Sequence, residues 1–430
     1  MRSNEWKLLP LEDCMEAIID YRGKTPRKSS FGIPLITAKI VKGGRILEPT
    51  EFIPYEDYDE RMSRGIPKAG DIVVTTEAPL GEVGQLDNRK LSVGQRLITL
   101  RGKSGLLDNT YLKFLMMSEF VQNQLLARAT GTTVSGIKQA ELRKIDLLIP
   151  PLPTQRRIAD ILSVLDEKIE LNRQVNVTLE AMAQAIFREW FVDFNLPDVS
   201  DPKGLSRDHA PLQAMESGKN GSRRAGQTFR VSGIPQGWRV GKLGDIYKTA
   251  SGGTPSRARN EYYANGTYQW VKSKELNGSF IIDTEEKITG DALKNSSTKL
   301  LPKHSVLIAM YGATVGEIGI ISNEATTNQA VCAFIPNEDY PFSFIFQFLK
   351  NNKDDIISRA VGSAQQNISQ ELLRNLEVII PESNILKKYH TIVEPIFLAI
   401  EENIKQTATL AAVRDALLPK LMSGEIETRP

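Results

Sequence analysis

The sequence predicts an α/β protein made twice over: two similar α/β units separated by two long antiparallel coiled-coil helices and related by a pseudo-twofold internal repeat. Three observations predict it. The chain matches itself at an offset of 231 residues, a long run of helical periodicity follows the same point in both copies, and each copy carries short β-type runs between glycine and proline turns.

The self-match lays Arg128–Pro150, RATGTTVSGIKQAELRKIDLLIP, over Arg359–Pro381, RAVGSAQQNISQELLRNLEVIIP, without a gap and with nine of 23 positions identical. At the same offset Ile169, Glu170, Asn172, Thr178, Leu179, Ala181 and Ala185 meet Ile400, Glu401, Asn403, Thr409, Leu410, Ala412 and Ala416. Upstream the match is looser: Trp6 falls with Trp238, Glu82-Val83-Gly84 with Glu317-Ile318-Gly319, and Gln95 with Gln329. The parts are therefore a first unit at 1–151, a helix at 152–194, a linker at 195–233, a second unit at 234–382 and a helix at 383–425. The linker is rich in Pro, Gly, Ser and charge.

Within each unit the β-type runs are Pro34–Ile40, Asp71–Thr76, Gln95–Leu100 and Ile145–Ile149, then Tyr268–Val271, Ser305–Met310, Ala330–Ile335 and Leu376–Ile380. Helices at Thr110–Ala129 and Phe342–Ala360 come late, which suits a mixed or antiparallel sheet.

The long helices follow. Thr154 to Phe191 contains neither proline nor glycine, and Ile158, Ile161, Leu162, Leu165, Ile169, Val175, Leu179, Met182, Ile186 and Trp190 recur at helical spacing. Every seventh residue reads Ile158, Leu165, Asn172, Leu179, Ile186 in one copy and Tyr389, Ile396, Asn403, Leu410, Leu417 in the other, which are coiled-coil seams. Pro150, Pro151 and Pro153 open the first helix; Gly424 closes the second, and Pro395 predicts an early kink or break. A core asparagine weakens packing but sets register, so antiparallel helices would bring Asn172 and Asn403 together at a pseudo-twofold centre.

Polar and basic groups gather at the turns. The first unit has Arg22-Gly23-Lys24-Thr25-Pro26-Arg27-Lys28, then Lys39, Lys42 and Arg45; the second has Ser251-Gly252-Gly253-Thr254-Pro255-Ser256-Arg257, then Lys272 and Lys274. Glycine turns let backbone approach phosphate, while Lys, Arg, Ser, Thr and Gln contact phosphates and base edges. The candidate DNA-binding residues are Lys24, Arg27, Lys39, Lys42, Thr132, Thr133, Lys138, Ser256, Arg257, Lys272, Lys274, Gln365 and Gln366. Solvated loops have similar composition; recurrence at matching points in both copies is what favours a functional role.

Composition excludes several classes. Net charge is +2, so a nucleic-acid binder of this kind must place its bases on one face. Cys14 and Cys332 stand far apart and the three histidines are scattered, which argues against a disulfide framework, a zinc site or a metal centre and for a reducing cytoplasm. No apolar run is long enough for a membrane span, and Met1 to Pro10 lacks the apolar stretch of a signal peptide. The only Pro-Pro lies in IPPLP, away from any amino-methyltransferase loop; Ile18 stands where a Walker A loop before Gly23-Lys24-Thr25 needs glycine; no G-x-S-x-G or H-E-x-x-H occurs. No catalytic residue is assigned.

The segments GTTVSGIKQAELRKIDLLIPPLPTQRRIADILSVLDEKI, AIFREWFVDF, IPQGWRVGKLGDIYKTASGGTP, GTYQWVKSKEL and GIPLITAKIVKGGRI resemble the DNA-specificity subunit of type I restriction–modification systems. The likeness covers nearly the whole chain; it departs at PESNILKKYHTIVEP, where the family has a Pro-Pro-Leu-x-x-Gln start. The resemblance implies two target recognition domains that each read half of a split double-stranded DNA site. It also implies two helices that set the spacing and dock two modification subunits and, where present, restriction subunits. S-adenosylmethionine, ATP and magnesium would then belong to those partners, with no cofactor in this chain. The helix-pairing candidates are Asn172, Asn403, Leu165, Leu179, Ile396 and Leu410. A coiled-coil adaptor and a stand-alone DNA-binding regulator remain open at this point.

Overall fold

A strand whose two faces are both covered reads as a run of apolar and β-branched residues without alternation, and Ile72–Thr76 and Val306–Ala309 are such strands, buried at every position. They are the inner strands of the two main sheets in a computed structural model that describes residues 6–131, 135–196, 234–360 and 367–427. The chain divides into two compact units, Met1–Glu170 with Ala408–Pro430, and Leu171–Thr407. Most of the linker, 197–233, lies outside the described residues, as do Thr132, Thr133, Gln365 and Gln366.

In the first unit the main sheet is antiparallel, in the order Met15–Asp20, Leu97–Gly102, Ile72–Thr76, Leu80–Gln85. Alternation assigns its faces. Ile72 and Val74 enter one core with Tyr111, Phe114 and Leu115 of the helix Asn109–Met117, while Val73 enters another with Leu35, Val41 and Ile53. That second core lies under a small sheet in which Ile33–Ile36 runs antiparallel to Phe52–Ile53 and parallel to Ser92–Val93. A ribbon of Lys7–Pro10 against Asp146–Ile149 joins the ends of the unit.

The second unit repeats the main sheet, the small sheet and the ribbon. Its main sheet runs Lys248–Ser251, Val331–Ile335, Val306–Ala309, Ile318–Ile321, with Phe280–Ile281 added in parallel at the edge. Val306 and Ile308 pack with Phe344 and Ile345, and Leu307 and Ala309 with Val271 and Ile281. Tyr268–Val271 lies between Lys287–Ile288, antiparallel, and Ala325–Thr327, parallel; Arg239–Lys242 pairs with Glu377–Ile380. The duplication seen in the sequence is thus a duplication of topology.

Three local expectations are corrected. The strand expected over Pro34–Ile40 ends at Ile36, and Ala38–Ile40 is a 3-10 turn. The helix expected over Thr110–Ala129 is two, Asn109–Met117 and Glu119–Ala127, because extended Ser118 caps the second: its Oγ accepts from the Val121 N–H and donates to the Leu115 carbonyl at 2.6 Å. The helix expected over Phe342–Ala360 is likewise Phe342–Asn351 and Lys353–Ser358, parted at Asn352, whose amide donates to the Phe348 carbonyl at 2.8 Å.

The central helix, Leu152–Phe191, and the C-terminal helix, Ser383–Met422, have 40 residues each, about 60 Å of rise apiece. The break expected at Pro395 does not occur. Pro395 is exposed, so its ring sits on the solvent side and the helix loses one backbone hydrogen bond without ending. Gly424 does close it, at φ +71, where a Cβ would lie 3.3 Å from the Trp6 ring.

The seam follows three- and four-residue steps. In the first unit Gln155, Ile158, Leu162 and Ile169 of the central helix are buried, Leu165 is half-buried, and from the C-terminal helix come half-buried Leu410 and Leu417 and buried Leu421. In the second unit Asn172, Ala183, Phe187 and Trp190 are buried and Leu179 half-buried, with Tyr389, Val393, Phe397 and Ile400 buried and Ile396 half-buried. Ile161, Val175 and Met182 are not part of it: they are 41%, 38% and 48% exposed. A coiled-coil seam is narrower than the apolar stripe of an ordinary amphipathic helix, and these three fall outside it.

Within the second unit Asn172, 2% exposed, donates its amide to Gln406 Oε1 at 2.8 Å, and Asn403 donates to Asn176 Oδ1 at 2.8 Å. As one number rises the other falls, so the helices run antiparallel. The expected meeting of Asn172 with Asn403 is corrected in detail: Asn172 Nδ2 lies 3.5 Å from the Asn403 carbonyl, and each side chain takes a different polar partner. Within the first unit Asp166 receives Lys113 at 2.6 Å and Arg414 at 2.8 Å, and buried Gln155 accepts from the Asp108 N–H and donates to the Leu106 and Pro150 carbonyls. Those contacts fix the start of the central helix to the first α/β fold.

Candidate nucleic-acid interface

The hairpin Val41–Lys42 with Arg45–Ile46 turns through Gly43-Gly44, both at positive φ, the geometry of a tight two-residue connection. It presents Lys42 beside Lys39 of the 3-10 turn, both exposed, and neither ammonium makes an ion pair or hydrogen bond among the described residues. Lys138, exposed at the start of the turn Gln139–Leu142, is placed in the same way.

Lys24 and Arg27 lie on the loop after Met15–Asp20. Lys24 Nζ donates to Ser63 Oγ at 2.7 Å. Arg27 bonds Asp57 and Glu56, both at 2.8 Å, and Asp57 above all holds its guanidinium more basic than usual. Behind the loop sits buried Arg61, which has no signature in the sequence because it ends a single-turn helix, Tyr58–Arg61, too short to show a period. Its guanidinium donates to the Lys24 carbonyl at 2.6 Å, the Val93 carbonyl at 2.7 Å and Ser92 Oγ at 3.1 Å.

In the second unit three candidates converge. Arg257 stacks over Tyr263 at 4.3 Å and Trp270 at 5.0 Å and bonds Glu286 at 2.6 Å. Lys272 reaches Glu286 at 2.8 Å and Glu285 at 3.1 Å, and Lys274 reaches Glu285 at 2.6 Å. Hydrogen bonds from Arg257 and then Lys272 pull the Glu286 carboxyl down to about 2. These cations are therefore neutralised in place, unlike Lys39 and Lys42. Ser256 is exposed beside them. Among the described residues no group of His, Cys, Asp and Glu is arranged to hold a metal ion, and no helix is long and apolar enough to cross a membrane.

The arrangement offers loops of donors carried on duplicated sheets. Residues 3–181 and 235–410 match the family described as the type I restriction modification DNA specificity domain. The chain is 28% identical to the type I restriction enzyme MjaIX specificity subunit of Methanocaldococcus jannaschii, covering 98% of this chain and 94% of that one. It is also 28% identical to the HindI specificity subunit of Haemophilus influenzae, covering 84% of this chain and 87% of that one. The crystal structure of the type I restriction–modification S subunit from M. genitalium has a similar fold, with a TM-score of 0.60, 16% identity and coverage of 98% and 97%. With two copies of the family's domain spanning most of its length, this chain belongs to the type I restriction–modification DNA-specificity family.

Proposed function

We propose that this chain reads a two-part double-stranded DNA target, one half per unit, and is the non-catalytic specificity subunit around which two modification subunits and, where present, restriction subunits assemble. The observation that carries the reading is the duplicated topology: the order of four main-sheet strands occurs twice, while the loops around it differ, with Lys39 and Lys42 lacking an ion-pair partner among the described residues in one unit and acid-bound Lys272 and Lys274 in the other. A shared scaffold with divergent loops suits two readers of different sequence, and tethering two modest readers raises their joint affinity without strong net charge. S-adenosylmethionine, ATP and magnesium are assigned to the partners, and the complex to the cytoplasm.

An electrophoretic shift with and without the modification subunits tests this. The expected result is retention of one bipartite duplex over scrambled DNA when the partners are present, with no methyl transfer, nuclease or ATPase activity from the chain alone. Partner binding with no retention of any duplex would favour an adaptor, and full specificity without partners a stand-alone regulator.

A further inference from the structure

Two side-chain pairs occupy matching places in the two units. Thr25 Oγ1 donates to Gln95 Oε1 at 3.2 Å, and Thr254 Oγ1 donates to Gln329 Oε1 at 2.5 Å. Each threonine precedes a proline, and each glutamine lies just before an inner strand of the main sheet, at positions the internal repeat aligns. The residue before each threonine has its carbonyl held by a buried donor, but not the same one. Arg61 donates to the Lys24 carbonyl at 2.6 Å; Trp270 Nε1 donates to the Gly253 carbonyl at 3.1 Å. The loop carrying each threonine is thereby fixed beside the loop carrying each glutamine: Arg61 also grips the Val93 carbonyl, and the Gly253 N–H donates to the Thr327 carbonyl at 3.0 Å. Different residues hold the two loops, yet both arrive at the same Thr–Gln contact.

With Oε1 engaged by a hydroxyl, the orientation of each amide is set, and its two N–H groups have no partner among the described residues. Such a group presents donors only to an acceptor. We infer that Gln95 and Gln329 are equivalent DNA-backbone contacts, each amide donating to a phosphate oxygen of its own half-site and setting the register from which the divergent loops read bases. The inference rests on the proposed two-part reading. A group present in identical form in both units cannot carry the difference between two half-sites, whereas every half-site has phosphates.

The test uses the full-length chain assembled with its modification subunits, and duplexes carrying the methylated site or single base-pair changes in it. Gln95→Met and Gln329→Met keep length but remove the donors. Each should weaken binding to every duplex by one common factor, roughly tenfold or more for a lost hydrogen bond to a charged acceptor, and leave the preference among duplexes unchanged. Gln95→Glu, which turns a carboxylate toward phosphate, should weaken it further. Thr25→Val should give a smaller uniform loss, because the amide remains but turns freely. Loss of discrimination at one base pair would overturn the inference in favour of base reading. Unchanged affinity in both Met variants would overturn it, and a lowered thermal unfolding temperature alongside would assign the pair to a tie internal to the protein. Absence of any sequence preference in the wild-type complex would overturn the underlying reading, and the inference with it.

Discussion

Asp166 shows how a single side chain can join three elements of one unit, since Lys113 comes from the helix Asn109–Met117 and Arg414 from the C-terminal helix. All three side chains are at most 16% exposed, so removing the anion leaves two cations with little water. Burial works against the charge of Arg414, and its bonds to Asp166 and Asp415 more than offset it. Asp166→Ala should cost about 3–5 kcal/mol in urea unfolding, whereas Asp415→Ala, at a largely exposed carboxylate, should cost less than about 1 kcal/mol; equal costs would contradict the triad. In the second unit His304 contacts Glu401 at 3.0 Å and His390 contacts Ser343 at 3.1 Å, with Lys303, Glu394 and Lys405 nearby. Burial lowers both imidazole pKa values, and it outweighs Glu401 at His304 and Glu394 at His390. A depressed histidine stabilises fully above its unfolded pKa, about 6.5, and that contribution is lost as pH falls toward the folded value. Burial also opposes the charge of Glu401, but hydrogen bonds from Lys405 and His304 prevail and lower its pKa, so its contribution is lost only at more acid pH, below about 4.3. Stability measured at pH 7.5 and 5.5 should therefore drop less in a His304→Asn/His390→Gln double variant than in the wild type. An equal drop in both would remove the histidines from the explanation. His304 is at φ +64, a region asparagine tolerates, which is why Asn replaces it.

At the scale of elements, the helices were the most legible part of the sequence, because a three-four apolar period over forty residues has no strand equivalent. The innermost strands Ile72–Thr76 and Val306–Ala309 were legible as short apolar and β-branched runs. Strands such as Met15–Asp20 and Leu80–Gln85 were not, since MEAIID carries charge and LGEVGQ two glycines, and their pairing is supplied by distant partners. The candidate interface was legible only as composition. That Arg257 and Lys272 are occupied depends on Glu286, 29 and 14 residues away, a contact no local pattern encodes. The departures are also informative. In the second unit Leu171, Val175 and Met182 share the face of the central helix away from the seam and are 51%, 38% and 48% exposed. Apolar residues at helical spacing on a solvent face suit a partner helix, and the modification subunit is the partner proposed. Leu171→Lys/Val175→Glu should leave thermal unfolding nearly unchanged and abolish co-purification with that subunit. Intact co-purification would place docking elsewhere.

For the whole molecule, the two-reader proposal requires that one unit can be exchanged without disturbing what the other reads. The topology favours this, because each unit has its own main sheet, side sheet and ribbon. The contacts also say what an exchange must keep. Replacing residues 1–150 removes Lys113 from Asp166 and Arg414, and removes the Leu106 carbonyl and Asp108 N–H from Gln155, while those helix residues stay behind. It also removes Arg45, which bonds Glu170 at 2.8 Å. A donor unit that supplies a lysine at the position of Lys113 and the same backbone groups opposite Gln155 should fold on these helices and change one half of the target, with the other half retained. A donor lacking the lysine leaves Asp166 with Arg414 alone and should give an unstable chain, restored by placing lysine at that one position. Genome-wide mapping of methylated sites in cells carrying each chimera reads the outcome directly. A stable chimera that altered both half-sites would show that the units do not read independently. One that folded equally well with and without the lysine would show that the triad is not what seats the first unit on its helix.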